Sequence, residues 1–190
     1  MDCWDLTYDS ADQLGYASRM SFSCWLPPLV QALHQLPFTY LAGQGIDFVP
    51  LPALQTAAKT KVWLKTWTGN ATLTGAEYRV FGHDRSGGTA TFWLVHPGAE
   101  LLQQPIVFFG SQGELGVVAT DFADYLWLLA AGLGPSEAVC GGVEGEVQDA
   151  GFTAFAATHA PAAKKLAAAV IARAKQEFVR FEPSVRAQCY

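Results

Sequence analysis

The sequence predicts an α+β fold: a mostly antiparallel β-meander sheet flanked by helices, with an additional C-terminal helix. Three observations predict it. The apolar period changes from about four over residues 53–68 to two over residues 77–120. Short, glycine-containing turns and loops join four successive strand-like segments, whereas parallel strands would need long crossovers. No internal repeat or clear linker divides the 190 residues, a length that suits one domain over 1–190.

Two helices are expected before the meander. A short one follows Pro27 in the segment PLVQALHQL and ends at Pro37. The second spans about residues 53–68, and Gly69 fits the left-handed position just after it. The segment LAGQGIDFVPLP between them is loop or short strand, because two glycines and two prolines interrupt it. We expect residues 1–22 to be only partly ordered.

The meander is expected in the segments EYRVFG, TATFWLV, PIVFFG and LGVVAT. TFWLV and IVFF are apolar on both alternations, which indicates that both faces of the sheet are covered at its middle. An apolar helix over 121–131 follows, with Asp121 or Thr120 as its cap. Residues 134–151 are expected to form a short helix and a loop. The last helix should span 161–181.

The last helix is expected to present one apolar face. Leu166, Val170 and Ala174 recur along it at spacing four, and Phe178 and Phe181 extend the face. Pro183 is expected to prevent the helix from continuing.

The charge pattern excludes one class of partner. Net charge is −5, and no Lys or Arg occurs between Ser86 and Ala163. A region of one sign repels nucleic acid and attracts basic partners. The alternative is that these acids are scattered over a solvated surface and serve solubility. The acids in this region are Glu100, Glu114, Asp121, Asp124, Glu137, Glu144, Glu146 and Asp149.

Cysteine usage and hydropathy indicate a cytoplasmic protein. The cysteines at 3, 24, 140 and 189 have no CxxC or zinc-finger spacing, so we expect reduced thiols. The N-terminus MDCWDLTYDS lacks the features of a signal peptide. The longest apolar run is far shorter than the roughly 20 residues that a membrane span needs.

No catalytic template fits the sequence. FGSQG has Phe109 where a nucleophile elbow needs Gly, and it lies between two strands. GLGPSE has Glu137 where a dinucleotide fingerprint needs its third Gly. His83 and Asp84 are adjacent, so their side chains point apart. We expect no catalytic residues, no cofactor and no metal site, although residues distant in sequence could still form an enzyme site.

Part of the chain resembles the SUKH superfamily. The segments FGHDRSGG at 81–88, PIVFFGSQGE at 105–114 and VVATDFADYLWLLAAG at 117–132 are similar to its strand, glycine-rich turn and helix pattern. LPFTYLAGQG at 36–45 loosely resembles its early LP-x-x-Y segment. The usual acidic helix before LP is not evident, and PPLVQALHQ stands in its place. The resemblance implies a domain core over about 36–150, with no cofactor and no catalysis.

The resemblance also implies a function. The family includes fungal regulators of cell-wall synthesis and bacterial immunity proteins that bind and block a cognate polymorphic toxin in the cytoplasm. The expected partner here is such a toxin, basic and nuclease-like, rather than nucleic acid or membrane. An intracellular scaffold or regulatory protein-binding module on the same fold is the alternative. From charge and loop position, the expected partner-binding residues are Glu114, Asp121, Asp124, Glu137, Glu144, Glu146 and Asp149.

Overall fold

The computed structural model describes residues 24–41, 44–141 and 148–190. The expectation for residues 1–22 therefore lies outside the described part of the chain. The described elements, in chain order, are α1 (Pro28–Leu33), β1 (Tyr40–Leu41), β2 (Gln44–Gly45), β3 (Val49–Pro50), α2 (Ala57–Thr68), β4 (Tyr78–His83), β5 (Thr89–Trp93), β6 (Ile106–Phe109), β7 (Leu115–Ala119), α3 (Phe122–Ala130), α4 (Ala150–His159), α5 (Ala167–Glu177) and α6 (Phe181–Arg186). Short 3-10 turns span Leu101–Gln103 and Pro161–Ala163, and a π-helical turn spans Glu137–Gly141.

A five-stranded antiparallel sheet forms the centre of the fold. Its strand order is β3-β4-β5-β6-β7, and β1 and β2 form a separate antiparallel pair. β4, β5, β6 and β7 pair in chain order, and the short connections between them favour antiparallel pairing. β3 pairs antiparallel with β4 across the longer connection that contains α2. The predicted α+β fold with an antiparallel meander is confirmed. β3 adds a short edge strand to the four that the sequence indicates.

Both faces of the sheet are covered, as the doubly apolar strands predict. Along β6 all four side chains are buried, so neighbouring residues enter opposite layers. Phe108 belongs to a core cluster with α1, α3 and α4, while Phe109 belongs to a second cluster with α2 and α6. α5 contributes Val170 to the first cluster and Ala174 to the second, and it packs on β7.

The helices around the meander follow the local sequence signals. α2 begins at Ala57 rather than near residue 53, because the Thr56 hydroxyl accepts a hydrogen bond from the Lys59 amide and caps the helix. Gly69 ends α2 in the left-handed conformation, with φ of 73°. Asp121 caps α3, which confirms the predicted start of that helix.

One expectation about the last quarter of the chain is wrong, and one helix there was not anticipated. α4 (Ala150–His159) was not anticipated, although Asp149 caps it through the Phe152 amide. The expected continuous helix over 161–181 is instead a 3-10 turn, α5 and α6. Pro183 lies in the first turn of α6, where its missing N–H costs no helical hydrogen bond.

The break before α5 also moves one residue out of the predicted apolar face. Leu166 is the cap position of α5 and is 77% exposed. Its neighbour Lys165 turns inward and pairs with the buried carboxylate of Asp124. The spacing of apolar residues could not reveal this ion pair.

Candidate functional site

The sheet brings two turns together at one end. The β4–β5 turn covers 84–88 and the β6–β7 turn covers 110–114. Thr89 pairs with Phe109 across β5 and β6, so both turns lie at the same end of the sheet. The π-helical turn after α3 packs on β7 and so also lies near this end of the sheet. Four carboxylates lie here, and we call them the acidic end: Asp47, Asp84, Glu114 and Glu137.

Asp84 builds the first turn. It is 8% exposed, and its Oδ1 accepts hydrogen bonds from the Ser86 hydroxyl at 2.8 Å and the Gly88 amide at 2.7 Å. A Cβ on Gly88 would lie 2.5 Å from the Asp84 carboxylate and 2.4 Å from Cζ of Phe108. Glycine is therefore required there, and the turn conformation fixes the carboxylate.

Glu114 and Glu137 are half-buried and fold back on their own loops. Oε2 of Glu114 accepts a hydrogen bond from the Gln112 amide at 3.1 Å, and Oε2 of Glu137 accepts one from the Gly134 amide at 2.9 Å. Burial raises the pKa of Glu137, and the nearby Asp47 carboxylate adds to the rise, although backbone amide donors oppose it. Both side chains are thus held in place rather than free in solvent.

Asp47 enters the acidic end because β3 pairs with β4, with Val49 opposite His83. Its Oδ1 accepts from the backbone amide of Arg85 at 3.2 Å and from Nη1 of the same residue at 2.9 Å. The Arg85 guanidinium also lies 5.4 Å from the centre of the Tyr40 ring. The Arg186 guanidinium also reaches this end, where its Nη2 donates to the Gly113 carbonyl at 3.2 Å while its Nε pairs with Glu182. The four carboxylates outnumber the two guanidinium groups, so this end of the sheet is negative.

Cys140 lies close to three of these carboxylates. Burial raises the pKa of its thiol, and the charges of Glu114, Glu137 and Asp84 raise it further. The residue itself is exposed. Three carboxylates of the acidic end therefore lie around this thiol. Asp47 and Asp84 are buried, so Glu114 and Glu137 are the more accessible carboxylates of that end.

Two of the expected partner-binding residues lie at the opposite end of β7. Asp121 accepts a hydrogen bond from the Asp124 amide at 2.8 Å as the cap of α3. Asp124 is 1% exposed, and Lys165 and Arg173 pair with its two oxygens. In this structure Asp124 is a buried helix anchor and is not on the surface that a partner could touch.

The other expected residues divide between the cluster and the loop after it. The structure brings Glu114 and Glu137 together, which the sequence alone could not show. Asp149 caps α4 and its amide donates to the Ala130 carbonyl. Glu144 and Glu146 lie outside the described residues.

Asp47 and Asp84 were missed, because both precede the stretch without basic residues. Strand register was the signal that could have found Asp84. It sits just after β4, at the end of the sheet where Glu114 precedes β7.

The described residues offer no metal-binding cluster. Residues 24–41, 44–141 and 148–190 contain no group of three or more His, Cys, Asp or Glu side chains that could hold an ion. His83 Nδ1 lies 3.2 Å from the Thr89 hydroxyl across β4 and β5, and burial lowers its pKa. The ring therefore has a structural partner, and it does not form a pair with Asp84.

The cysteines depart from expectation. Cys24 takes part in a disulfide bond, whereas Cys140 and Cys189 are free thiols. The expectation of a fully reduced set is wrong at Cys24, while Cys3 lies outside the described residues. No helix in the described part of the chain is long and apolar enough to cross a membrane.

Comparison with known proteins gives no match to a family model, a curated protein or a solved structure. The resemblance to the SUKH superfamily therefore stays a prediction that rests on the sequence segments alone.

Proposed function

We propose that this chain is an immunity protein that binds and neutralises a cognate polymorphic toxin by direct contact. The observation that carries the proposal is the acidic end. A toxin that acts on nucleic acid needs a basic substrate surface, and a negative surface can cover it. The resemblance to the SUKH superfamily supports the same role.

The acidic end suits fast recognition of a basic protein. Its carboxylates are held by turn amides and hydroxyls, so little side-chain freedom is lost on binding. Clustered charge of one sign attracts an oppositely charged partner and raises the association rate, an effect that salt weakens. We infer that the toxin approaches the turns at 84–88 and 110–114 with lysines and arginines.

The proposal includes no catalysis and no cofactor, and it places the protein in the cytoplasm of the producing cell. The disulfide at Cys24 bears on location, because disulfides are rare in the cytosol. Mass spectrometry of the protein alkylated directly in cell lysate tests this part. The bond at Cys24 argues against the cytosol, so a cytoplasmic location requires this bond to be reduced in the cell. Cys24 should then carry the alkyl group, and an oxidised Cys24 would place the protein in an oxidising compartment.

The binding test uses variants that remove charge and keep hydrogen-bond acceptors. Glu114→Gln with Glu137→Gln neutralises two carboxylates while each amide oxygen can still accept from its loop. The matched control is Glu77→Gln with Glu100→Gln. Glu77 precedes β4, and Glu100 lies in the β5–β6 connection, so both residues are at the far end of the sheet.

The measurement is association with a purified toxin domain encoded beside this gene, at low and at high salt. We expect the first variant to associate about tenfold more slowly at low salt, with a small change in dissociation, and the control to match wild type. Equal rates and equal salt dependence in all three proteins would contradict recognition by the acidic end. Failure of the wild-type chain to protect cells that express the toxin would contradict immunity itself and favour the scaffold role.

A further inference from the structure

α2 exposes a basic face to solvent. Lys59, Lys61 and Lys65 are all exposed, and the helix contains no acidic residue. Val62 lies three residues from both Lys59 and Lys65 and is 64% exposed, so an apolar side chain stands between cations on one face. Among the described residues none of the three lysines has an ion pair. We call Lys59, Lys61, Val62 and Lys65 together the basic face.

The helix backbone adds to this positive charge at the start of α2. The free N–H groups of a helix N-terminus carry partial positive charge, which an acidic residue in the first turn often offsets. α2 has no acidic residue in its first turn, and Lys59 is placed there instead. The Thr56 hydroxyl accepts from the Lys59 amide without adding negative charge. The basic face is therefore positive along its whole length.

The basic face adjoins the acidic end. Nε1 of Trp67 donates to the Gly110 carbonyl at 2.8 Å, and Gly110 begins the turn at 110–114. The Trp67 ring also packs edge-on against Phe109, with the ring centres 5.0 Å apart. Lys65 comes two residues before Trp67 in α2. The end of the basic face that carries Lys65 therefore lies next to the turn that carries Glu114.

The acidic end has carboxylates that a cation from another molecule can reach. Glu114 and Glu137 are half-buried, and no Lys or Arg of the described residues pairs with either. The two guanidinium groups at this end already pair with other carboxylates. Long lysine side chains suit such partly recessed carboxylates, because their charge lies at the end of a flexible stem.

We propose that two copies of this chain form a two-fold dimer in which the basic face of each copy contacts the acidic end of the other. Complementary charge on two adjoining surfaces carries the proposal. Such a pair of surfaces can match itself under a two-fold rotation, which closes the dimer and leaves no open chain of copies. Val62 would lose water in the contact. The dimer covers the acidic end, so a basic toxin would compete with it, although the dimer itself needs no toxin.

Sedimentation velocity of the full chain over a range of concentrations, at low and at high salt, measures the association. We expect a reversible dimer at low salt and a shift to monomer at high salt, because salt screens exposed charges. Lys61→Glu with Lys65→Glu reverses charge on two exposed side chains of α2. This variant should keep the fold, and its dimer Kd should rise at least about tenfold.

A charge swap between copies tests which surfaces meet. Glu114→Lys should also weaken self-association, because it places lysines opposite the basic face. When this variant is mixed with the α2 double variant, opposite charges meet in both contacts of the mixed dimer. The mixture should therefore form dimers at concentrations at which each variant alone is monomeric. If circular dichroism shows that Glu114→Lys is unfolded, Glu114→Gln with Glu137→Gln replaces it and should weaken the dimer without a swap.

The matched control is Lys164→Glu with Arg180→Glu, which makes the same change of net charge at two exposed residues outside both surfaces. Its dimer Kd should equal that of wild type. A wild-type chain that stays monomeric at low salt would overturn the proposal. So would an α2 double variant that associates like wild type, a control that weakens as much as that variant, or a mixture no more associated than its components. Each of these results leaves the immunity role standing, because toxin binding is measured separately.

Discussion

Replacing Asp124 by Asn should destabilise the protein more than any surface charge change, because one buried carboxylate joins three parts of the fold. Its oxygens lie 2.5 Å from Lys165 Nζ, 3.1 Å from the Thr120 hydroxyl and 3.3 Å from Arg173 Nη1. Thr120 precedes α3, Lys165 lies in the turn before α5, and Arg173 lies within α5. The carboxylate therefore ties the start of α3 to α5.

The expected loss follows from these contacts. Hydrogen bonds to charged groups contribute about 1.5–3 kcal/mol each, and breaking a buried ion pair by removing one partner costs about 3–5 kcal/mol. Asparagine keeps the shape of the side chain and can still accept from Thr120. The stranded Lys165 and Arg173 side chains are 28% and 48% exposed, so water can solvate them. We therefore expect a loss near the lower limit, about 2–3 kcal/mol.

Urea unfolding of wild type, Asp124→Asn, Lys165→Met and the double variant measures the free energies. The midpoint should fall with an unchanged slope, which indicates a stability change and not a more open native state. The two substitutions should be less than additive, because they remove the same ion pair. A loss below about 0.5 kcal/mol for Asp124→Asn, or full additivity, would refute the reasoning.

Two further changes test the core and the pH dependence. Gly82→Ala should cost about 1–3 kcal/mol in thermal unfolding, because the new Cβ would lie 2.1 Å from Cζ of Phe48, while Gly141→Ala, with open space around it, should be neutral. Burial lowers the pKa of His34 below 6.5, so the unfolded chain binds a proton that the folded chain refuses. Stability should therefore fall as pH drops below about 6.5, and His34→Gln should reduce that slope; equal slopes in the two proteins would contradict this account.

The sheet could be predicted because its signals are local. Each strand of the meander carries its own alternation or apolar run, and each turn carries glycine where the chain reverses. Gly87 and Gly113 both have positive φ, near 95°, in the two turns of the acidic end. The pairing order then follows from short connections alone.

The last quarter of the chain could not be predicted in the same way. The Ala-rich helix α4 has little contrast between polar and apolar faces, so the apolar period gives no clear boundary there. The spacing of apolar residues continues from Val170 through Phe181, although the chain bends between α5 and α6. Long-range contacts decide that bend: Phe178 packs against Trp93, and Phe181 packs against both Trp93 and Phe109.

The candidate site illustrates why charge in a sequence does not locate a surface. Asp121 and Asp124 belong to the same basic-free stretch as Glu114, yet β7 separates them from it, so they lie at the opposite end of that strand. Glu137 lies in the π-helical turn after α3, which packs on β7. Lys165 and Arg173 then neutralise Asp124 from a segment some 40 or more residues away in the chain. Asp47 and Asp84 precede the stretch but join it in space through the pairing of β3, β4 and β5. A stretch without basic residues thus predicts the sign of the surface, and the register of the strands decides which carboxylates form it.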